Sequence, residues 1–235
     1  MLSRIGSDIA GKKLLDDLMA EGVNTDYVIQ TEERTGQVYI PIFEDNYKYM
    51  IMDIQVNNPL SIREVNVDLL AESYSFAIFF DLQKELSLEI LRSFIIRRKK
   101  TCVVLCAASN ISHSDFTSYG YPDFIIANQE EAKFIPMDLL QPHTNIIVTR
   151  GEKGVICYST NGDITELDGV SVEVCDTIGA GDCFSGLFCR FISDGTPLAD
   201  ALSIANYGAA LSTRKSGARN GLPYQADLIS KRNYN

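Results

Sequence analysis

The stretch Asp176-Thr177-Ile178-Gly179-Ala180-Gly181-Asp182 lies between a segment with strand periodicity and a segment with helix periodicity. Before it, apolar residues occupy every second position, at Val170, Val172 and Val174. After it, apolar residues lie on one helical face, namely Phe184, Leu187, Phe188, Phe191 and Ile192. Glycine-rich turns that open a helix in this way are common in α/β folds.

The small residues of this turn favour the binding of an oxyanion. Gly179, Ala180 and Gly181 let a ligand approach the backbone, and the N–H groups at a helix start form a site for phosphate. Asp182 lies in the first helical turn beside that site. A carboxylate there would repel an anion unless it has another task, such as accepting a proton from a hydroxyl. Phosphoryl transfer uses an anion pocket together with a positioned base.

A purely structural interpretation of the turn is about equally supported by the local residues. An Asp near a helix N-terminus complements the helix dipole, and this arrangement is common. A second acid, Asp176, and two glycines within seven residues modestly favour the functional interpretation.

Composition excludes some classes of partner. The chain has 235 residues, of which 46% are hydrophobic and 22% are charged, as in ordinary globular proteins. This length suits one large domain or one and a half domains, with a buried core. The net charge of −10 argues against a nucleic-acid partner, which requires clustered cations.

The cysteines and the N-terminus indicate a cytoplasmic protein. The six cysteines include no C-x-x-C pair and have no histidine at metal-ligand spacing, so we expect reduced, mostly buried thiols. The first residues lack the apolar core of a signal peptide. No apolar segment is long enough for a membrane span, so we expect no membrane association.

The chain changes periodicity several times. Residues 8–21 predict a helix that Asp8 caps and Gly22 ends. Residues 26–54 alternate with period two and predict a hairpin-like sheet element.

From residue 60 onward, strand-like runs alternate with helix-like segments. The predicted strands are Phe76–Phe80, Cys102–Cys106, Phe124–Ala127 and Asn145–Thr149, and the predicted helices lie near 64–72, 87–98 and 129–135. This alternation predicts an α/β fold with a doubly wound, mostly parallel sheet flanked by helices. A hairpin over Val155–Tyr158 and Ile164–Leu167 follows, and helices over 181–193 and 197–213 come next.

Two further loops directly follow predicted strands, where ligands bind in doubly wound sheets. Asn128 and Glu131 could hold a hydrated divalent ion beside a phosphate, or Asn128 could cap the next helix with Glu131 reaching back. Thr149 and Gly151 offer a hydroxyl and glycine backbone to nucleotide phosphates, although a plain strand-to-hairpin turn explains them as well.

Four segments, taken together and in this order, resemble the ribokinase/phosphofructokinase-B family of sugar and nucleoside kinases. They are I-A-N-Q-E-E-A, V-T-R-G-E-K-G-V, D-T-I-G-A-G-D-C-F-S-G and A-N-Y-G-A-A-L-S-T-R-K-S-G-A. The helix over 8–21 is also similar, so the resemblance runs from Arg4 to about Leu228. It implies a single ribokinase-like domain over residues 1–235, in which residues 26–54 form part of a small β lid.

The resemblance implies that the chain transfers a phosphoryl group from ATP, with Mg²⁺, to a hydroxymethyl group of a small sugar such as ribose or fructose. It makes Asp182 the base beside the sugar, and the amides of Gly179, Ala180 and Gly181 the anion hole. Asn128 and Glu131 are implied to organise Mg²⁺ and the phosphates, and Thr149 and Gly151 to contact the ATP phosphates. The rest of the nucleotide is implied to contact Asn206, Gly217 and Ala218.

Two implied assignments compete with other interpretations of the same residues. Asp176 and the loop 214–221 correspond to a monovalent-cation site, but the Ser that is common late in that loop is Gly221 here, which argues against a potassium requirement. Glu85 belongs to a Q-x-E segment that resembles a sugar contact, whereas a solvated charge pair entering the next helix explains it equally well.

Compared with the family pattern, the chain begins at the helix that usually follows the first strand and its Gly-Gly segment. In the family those parts bind the sugar, so much of the acceptor pocket is expected to be absent from this sequence. Either the reading frame starts upstream of Met1, or the chain is a shortened homologue. Two alternatives therefore stay open: a nucleotide-binding pseudoenzyme or partner-binding module, and a nucleoside or vitamin alcohol kinase of the same fold. The resemblance also allows a homodimer.

Overall fold

The structure is a computed structural model of the 235-residue chain. It describes residues 1–41, 51–53, 66, 69–70, 73–74, 76–80, 84–97, 101–106, 117 and 120–232. The chain divides into two compact units, Met1–Val65 and Asn66–Asn235. The single domain over residues 1–235 stays a prediction, and the helix predicted near 64–72 lies mostly outside the described residues.

The first unit begins with a strand that the sequence analysis did not predict. Strand β1 (Leu2–Gly6) pairs in parallel with β2 (Tyr27–Thr31), and helix α1 (Ile9–Ala20) connects them. The predicted helix over 8–21 is thereby confirmed. The Asp8 carboxylate accepts a hydrogen bond from Gly11 N at 2.8 Å and caps this helix.

The hairpin predicted over residues 26–54 is only partly confirmed. Its first strand, β2, pairs with β1 rather than with its own neighbour in sequence. Strands β3 (Gln37–Tyr39) and β4 (Ile51–Asp53) do pair antiparallel. Residues 42–50, which belong to the same prediction, lie outside the described part of the chain.

Asp8 also tethers the segment that leads into β3. Its Oδ1 accepts a hydrogen bond from Thr35 Oγ1 at 2.6 Å, and its Oδ2 accepts one from Thr35 N at 3.0 Å. Thr35 Oγ1 in turn accepts from Gly6 N at 3.0 Å. These bonds, led by that of the Thr35 hydroxyl, lower the pKa of the Asp8 carboxyl.

The second unit contains a six-stranded sheet in the order β10-β9-β8-β7-β6-β5. Its parallel strands are β5 (Phe76–Phe80), β6 (Cys102–Cys106), β7 (Phe124–Asn128) and β8 (Asn145–Thr149). The antiparallel strands β9 (Val155–Tyr158) and β10 (Ile164–Leu167) extend it. The predicted mostly parallel α/β sheet and its closing hairpin are confirmed, with β7 one residue longer than predicted.

Helices accompany this sheet in the described part of the second unit. They are α2 (Lys84–Arg97), α3 (Gln129–Ala132), α4 (Met137–Leu140), α5 (Ala180–Ser193), α6 (Leu198–Ser212) and α7 (Gln225–Arg232). A short 3₁₀ turn covers Gly151–Lys153. The two predicted helices near the end correspond to α5 and α6, whereas α7 was not predicted. No helix in the described residues has both the length and the apolar character to cross a membrane.

The apolar core lies between the sheet and the helices α5 and α6. Val104 of β6, Ile147 of β8 and Cys157 of β9 are fully buried there, together with Phe188 of α5 and Leu202 of α6. The Phe188 ring packs edge-on against Phe124 at 5.1 Å between centroids. Because α5 is fixed against the sheet by these contacts, the turn that opens it is held at the carboxyl end of the parallel strands.

Candidate active site at the carboxyl edge of the sheet

The turn 176–182 opens α5 as predicted. Gly179 precedes the first helical residue with a φ of +81°, in the left-handed region that favours glycine. No side chain caps this end of α5, so its first N–H groups are not covered by a cap residue. Ala180 N donates only a long bond of 3.3 Å to Thr177 O. An anion could therefore compete for these amides.

Gly179 and Gly181 differ in their surroundings. A methyl group at Gly179 would lie 2.6 Å from the Ala218 carbonyl oxygen, whereas one at Gly181 would meet no atom within 4 Å. Gly179 is therefore required by the fold itself. The absence of a side chain at Gly181 leaves open space beside the helix N-terminus.

Asp182 lies in the first turn of α5, beside these amides. Asp182 is exposed to solvent, yet partial burial of its carboxyl raises its pKa. A carboxylate with a raised pKa is a better proton acceptor than an ordinary aspartate. The arrangement suits a base that receives the proton of a hydroxyl group.

The Cys106 thiol is affected electrostatically by both Asp182 and Glu131. The pKa of the Cys106 thiol is raised to about 11, mainly by burial; a hydrogen bond with Ser185 opposes the rise, and the carboxylates of Asp182 and Glu131 add to it. Both carboxylates therefore lie close enough to the last residue of β6 to act on its thiol. Cys106 and Ser185 were not among the predicted site residues, although the position of Cys106 at a strand end was the available signal.

Asn128 and Glu131 form a complete capping box. Asn128 Oδ1 accepts hydrogen bonds from Glu130 N at 2.9 Å and Glu131 N at 3.0 Å, while Glu131 Oε2 accepts one from Asn128 N at 2.8 Å. The capping alternative is thus confirmed, and the metal role stays a prediction. The second carboxylate oxygen of Glu131, Oε1, lies outside the capping box.

The donor set of this edge fits a metal that arrives with a nucleotide. Within the described ranges, no cluster of three or more His, Cys, Asp or Glu side chains could hold a metal ion. Mg²⁺ is usually bound by one or two carboxylates together with substrate phosphates. The single carboxylate of Glu131, near the open helix N-terminus, is compatible with that mode of binding.

Thr149 and Gly151 follow β8 at the same edge. Thr149 stands opposite Asn128 in the parallel register of β7 and β8. Gly151 has a φ of +57°, and a methyl group there would meet no atom within 4 Å. The guanidinium of Arg150, in the same turn, forms an ion pair of 2.7 Å with Glu166 of β10. A hydroxyl and an open glycine are thus presented beside Asn128.

Asn206 has a structural contact of its own. Its Nδ2 donates a hydrogen bond of 2.8 Å to the carbonyl oxygen of Asp168, which follows β10. The bond fixes the segment after β10 to helix α6. A contact of Asn206 with a nucleotide stays a prediction.

Asp176 is buried, and each of its carboxylate oxygens accepts a hydrogen bond from a backbone N–H group. Its Oδ1 accepts from Ile178 N at 3.1 Å, and its Oδ2 accepts from Gly217 N at 2.9 Å. Gly217 has a φ of +90°. The structure therefore places Gly217 and its neighbour Ala218 directly beside the turn that opens α5.

Glu85 lies in the first turn of α2. Its role as a sugar contact stays a prediction. The structure thus brings most predicted site residues of the second unit to one edge of the sheet or to the loops beside it. Glu85 is the exception, because the structure shows only its position in a helix.

Comparison with known proteins assigns this architecture. The sequence profile described as "pfkB family carbohydrate kinase" matches residues 1–225. The ribokinase of Lactococcus lactis subsp. lactis is 24% identical over 238 residues, which cover 98% of this chain and 78% of that protein.

Solved structures share the fold. A ribokinase from Thermotoga maritima has a TM-score of 0.85 at 22% identity and covers 99% of this chain and 80% of its own. A structure described as a putative ribokinase II from E. coli, in complex with ATP and Mg²⁺, has a TM-score of 0.82 at 20% identity. It covers 99% of this chain and 82% of its own. The predicted ribokinase-like fold is confirmed.

Proposed function

The chain belongs to the pfkB family of carbohydrate kinases, and from this we propose that it transfers the γ-phosphoryl group of ATP to a hydroxymethyl group of a small sugar. Ribose-like and fructose-like sugars are the favoured acceptors. The observation that carries the proposal is the pairing of an uncapped helix N-terminus with a carboxylate of raised pKa in its first turn. One part suits a transferred phosphoryl group, and the other suits the hydroxyl that attacks it.

The chain's own residues would divide the work as follows. Asp182 would hold the sugar hydroxyl and take its proton as the oxygen attacks the phosphorus. The amides of Gly179, Ala180 and Gly181 would donate hydrogen bonds to the oxygens of the phosphoryl group during its transfer. Thr149 and Gly151 would contact the phosphates of ATP, while Asn206, Gly217 and Ala218 would lie along the rest of the nucleotide.

We propose Mg²⁺ as the second cofactor, with Asn128 and Glu131 as the residues that organise it. When bound, the ion would neutralise negative charge on the phosphates. Because Asn128 already holds two backbone amides, its contribution is to fix the position of Glu131, and Glu131 supplies the charge. A monovalent-cation site at Asp176 is the remaining part of the proposed cofactor assignment.

Replacing Glu131 by Gln is expected to raise the Mg²⁺ concentration for half-maximal rate by about tenfold or more, the usual effect of altering a residue that organises a metal. Glutamine keeps the reach-back bond of the capping box, so the free energy of unfolding should change little. The rate is measured as a function of Mg²⁺ at fixed ATP. Glu130→Gln removes the same charge one residue away, from an exposed pair with Lys133. An equal shift in both variants would contradict the role of Glu131.

The raised pKa of Asp182 predicts an acidic limb in the pH profile. The base acts when it is ionised, so kcat/KM should fall as pH decreases through the pKa of Asp182. Because desolvation raises that pKa, the midpoint is expected above the ordinary value for aspartate. The test measures kcat/KM for the sugar from pH 4 to pH 8 at saturating ATP. The residual activity of Asp182→Asn is measured over the same pH range for comparison. A limb that persists unchanged in that variant would assign the titration to another group.

Cellular location and assembly complete the proposal. The six cysteines are free thiols, and Cys106, Cys157, Cys183 and Cys189 among them are buried, which supports a reducing, cytoplasmic setting. A homodimer stays a prediction, which sedimentation of the purified protein at several concentrations tests.

A further inference from the structure

The turn that follows β8 is closed by the side chain of Arg150 as well as by its own backbone. Arg150 N donates a hydrogen bond to the carbonyl oxygen of Gly154 at 2.7 Å, and Lys153 N donates one to the carbonyl oxygen of Arg150 at 3.1 Å. The guanidinium adds two bonds. Its Nη2 donates to the carbonyl oxygen of Lys153 at 3.1 Å, and its Nη1 donates to Oε1 of Glu166 at 2.7 Å. One side chain therefore ties the turn to itself and to strand β10.

The end of β10 packs against the same turn without intervening side chains. A methyl group at Gly154 would lie 2.0 Å from the carbonyl oxygen of Leu167. One at Gly169 would lie 1.8 Å from the carbonyl oxygen of Glu152. Glycine is the residue that lets two backbones approach so closely. The acceptor of the guanidinium stands one position before Leu167, so the guanidinium and the two glycines hold the same two segments together.

The guanidinium lies on the face of the sheet that points away from α5 and α6. Leu167 packs against the core that these helices cover. Successive side chains of a strand point to opposite faces, so the exposed Glu166 points to the other face. Because Arg150 pairs with Glu166, its charge lies on that face as well. Any effect of Arg150 on a phosphate held at the start of α5 must therefore pass through the backbone of the turn.

We propose that Arg150 is a positioning residue, anchored by Glu166, that holds the turn 150–154 ready for the phosphates of ATP. The inference deepens the proposed function and rests on it, because Thr149 and Gly151 are the proposed phosphate contacts of this segment. A turn that is already closed loses less conformational freedom when the nucleotide binds. Arg150 thereby strengthens nucleotide binding without touching the phosphates.

The planar fork of arginine is the feature that suits this position. Two of its nitrogens reach two different acceptors, the Glu166 carboxylate and the Lys153 carbonyl oxygen, and the rigid plane fixes both bonds at once. A lysine at position 150 would keep the charge but would carry it on one compact ammonium at the end of a flexible chain. Replacement by lysine thus separates positioning by the fork from simple attraction between a cation and a phosphate.

The test measures the Kd of ADP by calorimetry, together with kcat and KM for ATP, in the wild-type chain and in Arg150→Lys and Arg150→Met. Both variants are expected to raise the Kd and the KM by about threefold to tenfold, the effect of losing one ordinary hydrogen bond or more. The value of kcat should stay within about twofold, since the groups proposed to transfer the phosphoryl group are unchanged.

Replacing Glu166 by Ala gives the sharpest result, because positioning and charge predict opposite signs. Loss of a negative charge near the phosphates should strengthen ADP binding by Coulomb's law alone. The inference instead expects binding to weaken by about threefold, as the fork loses its anchor. Glu152→Ala is the matched control, since it removes the same charge from an exposed position in the turn itself and leaves the fork intact. It should not weaken ADP binding.

Hydrogen exchange without nucleotide tests whether the turn is held. The amides of Lys153 and Gly154 donate within the turn, to Arg150 O and Gly151 O at 3.1 Å and 3.0 Å. They should exchange faster in Arg150→Met and Glu166→Ala than in the wild type or in Glu152→Ala. If Arg150→Met does not fold, Glu166→Ala carries the test, because its side chain is exposed.

Several results would overturn the inference. Tighter ADP binding by Glu166→Ala, or a wild-type Kd in Arg150→Lys, would show that charge rather than the anchored fork sets the affinity. Unchanged exchange at residues 153 and 154 would show that the turn closes without the guanidinium. A lower kcat with an unchanged Kd would place Arg150 in the transfer step instead. Absence of ADP binding by the wild type would overturn the proposed function as well, whereas the other results overturn the inference alone.

Discussion

Replacing Asp182 by Asn is expected to lower kcat/KM for the accepted sugar by roughly two to four orders of magnitude, the usual contribution of a general base. Asparagine has the same shape but cannot accept the proton of the attacking hydroxyl. The side chain lies at the exposed start of α5, so the fold should tolerate the change. The measurement is ADP release with a panel of ribose, deoxyribose, fructose and a nucleoside at saturating ATP.

A matched control separates the loss of the base from the loss of a charge. Asp194 directly follows α5 and forms an exposed pair with Arg190 at 3.0 Å, and such pairs contribute less than about 1 kcal/mol. Asp194→Asn should therefore keep wild-type kinetics. ADP binding to Asp182→Asn, measured by calorimetry, should be retained. Wild-type turnover by Asp182→Asn would show that Asp182 is not the catalytic base.

The same panel distinguishes the alternatives to a sugar kinase. ADP or ATP binding by the wild-type chain without phosphorylation of any member of the panel would favour a nucleotide-binding pseudoenzyme. Phosphorylation of the nucleoside alone would keep the chemistry of Asp182 and the anion hole but change the acceptor. These outcomes separate the transfer of phosphate, which we propose for the loops described above, from the choice of acceptor.

Local signals in the sequence were sufficient for the parallel strands and for the turn into α5. Buried apolar runs such as Cys102–Cys106 and Asn145–Thr149 are bounded by polar turns, and a strand of that kind is identified from its own residues. The left-handed Gly179 before a helical apolar face is a local signal as well. Because β–α alternation leaves few arrangements for the sheet, these segments also predicted the edge at which the candidate site lies.

Contacts between distant segments could not be predicted in the same way. Strand β1 (Leu2–Gly6) stands at the start of the chain without a preceding turn signal, and its pairing with β2 depends on the intervening helix. Helix α7 (Gln225–Arg232) is short and largely polar, so its periodicity is weak. The bond from Gly217 N to Asp176 joins residues 41 positions apart, and no local pattern identifies such a pair.

The second large effect is expected at Gly179, where Gly179→Ala should both destabilise the protein and nearly abolish activity. The methyl group meets a φ of +81° and would lie 2.6 Å from the Ala218 carbonyl oxygen, so backbone must move. Strain in the left-handed region alone costs about 1–3 kcal/mol. Since the displaced amides are the proposed anion hole, kcat should fall by about a hundredfold or more, as when oxyanion donors are removed.

Two glycines of the same helix serve as controls for Gly179→Ala, because an added methyl group meets no atom within 4 Å at either Gly181 or Gly186. Gly186→Ala should keep full activity and gain up to about 1 kcal/mol of unfolding free energy from the better helix propensity of alanine. Gly181→Ala should keep stability but lower kcat, since its methyl group stands beside the proposed phosphate. Thermal unfolding and steady-state kinetics on the three variants test this order. Full activity in Gly181→Ala would place the transferred phosphate away from this helix N-terminus, even if Gly179→Ala unfolds as expected.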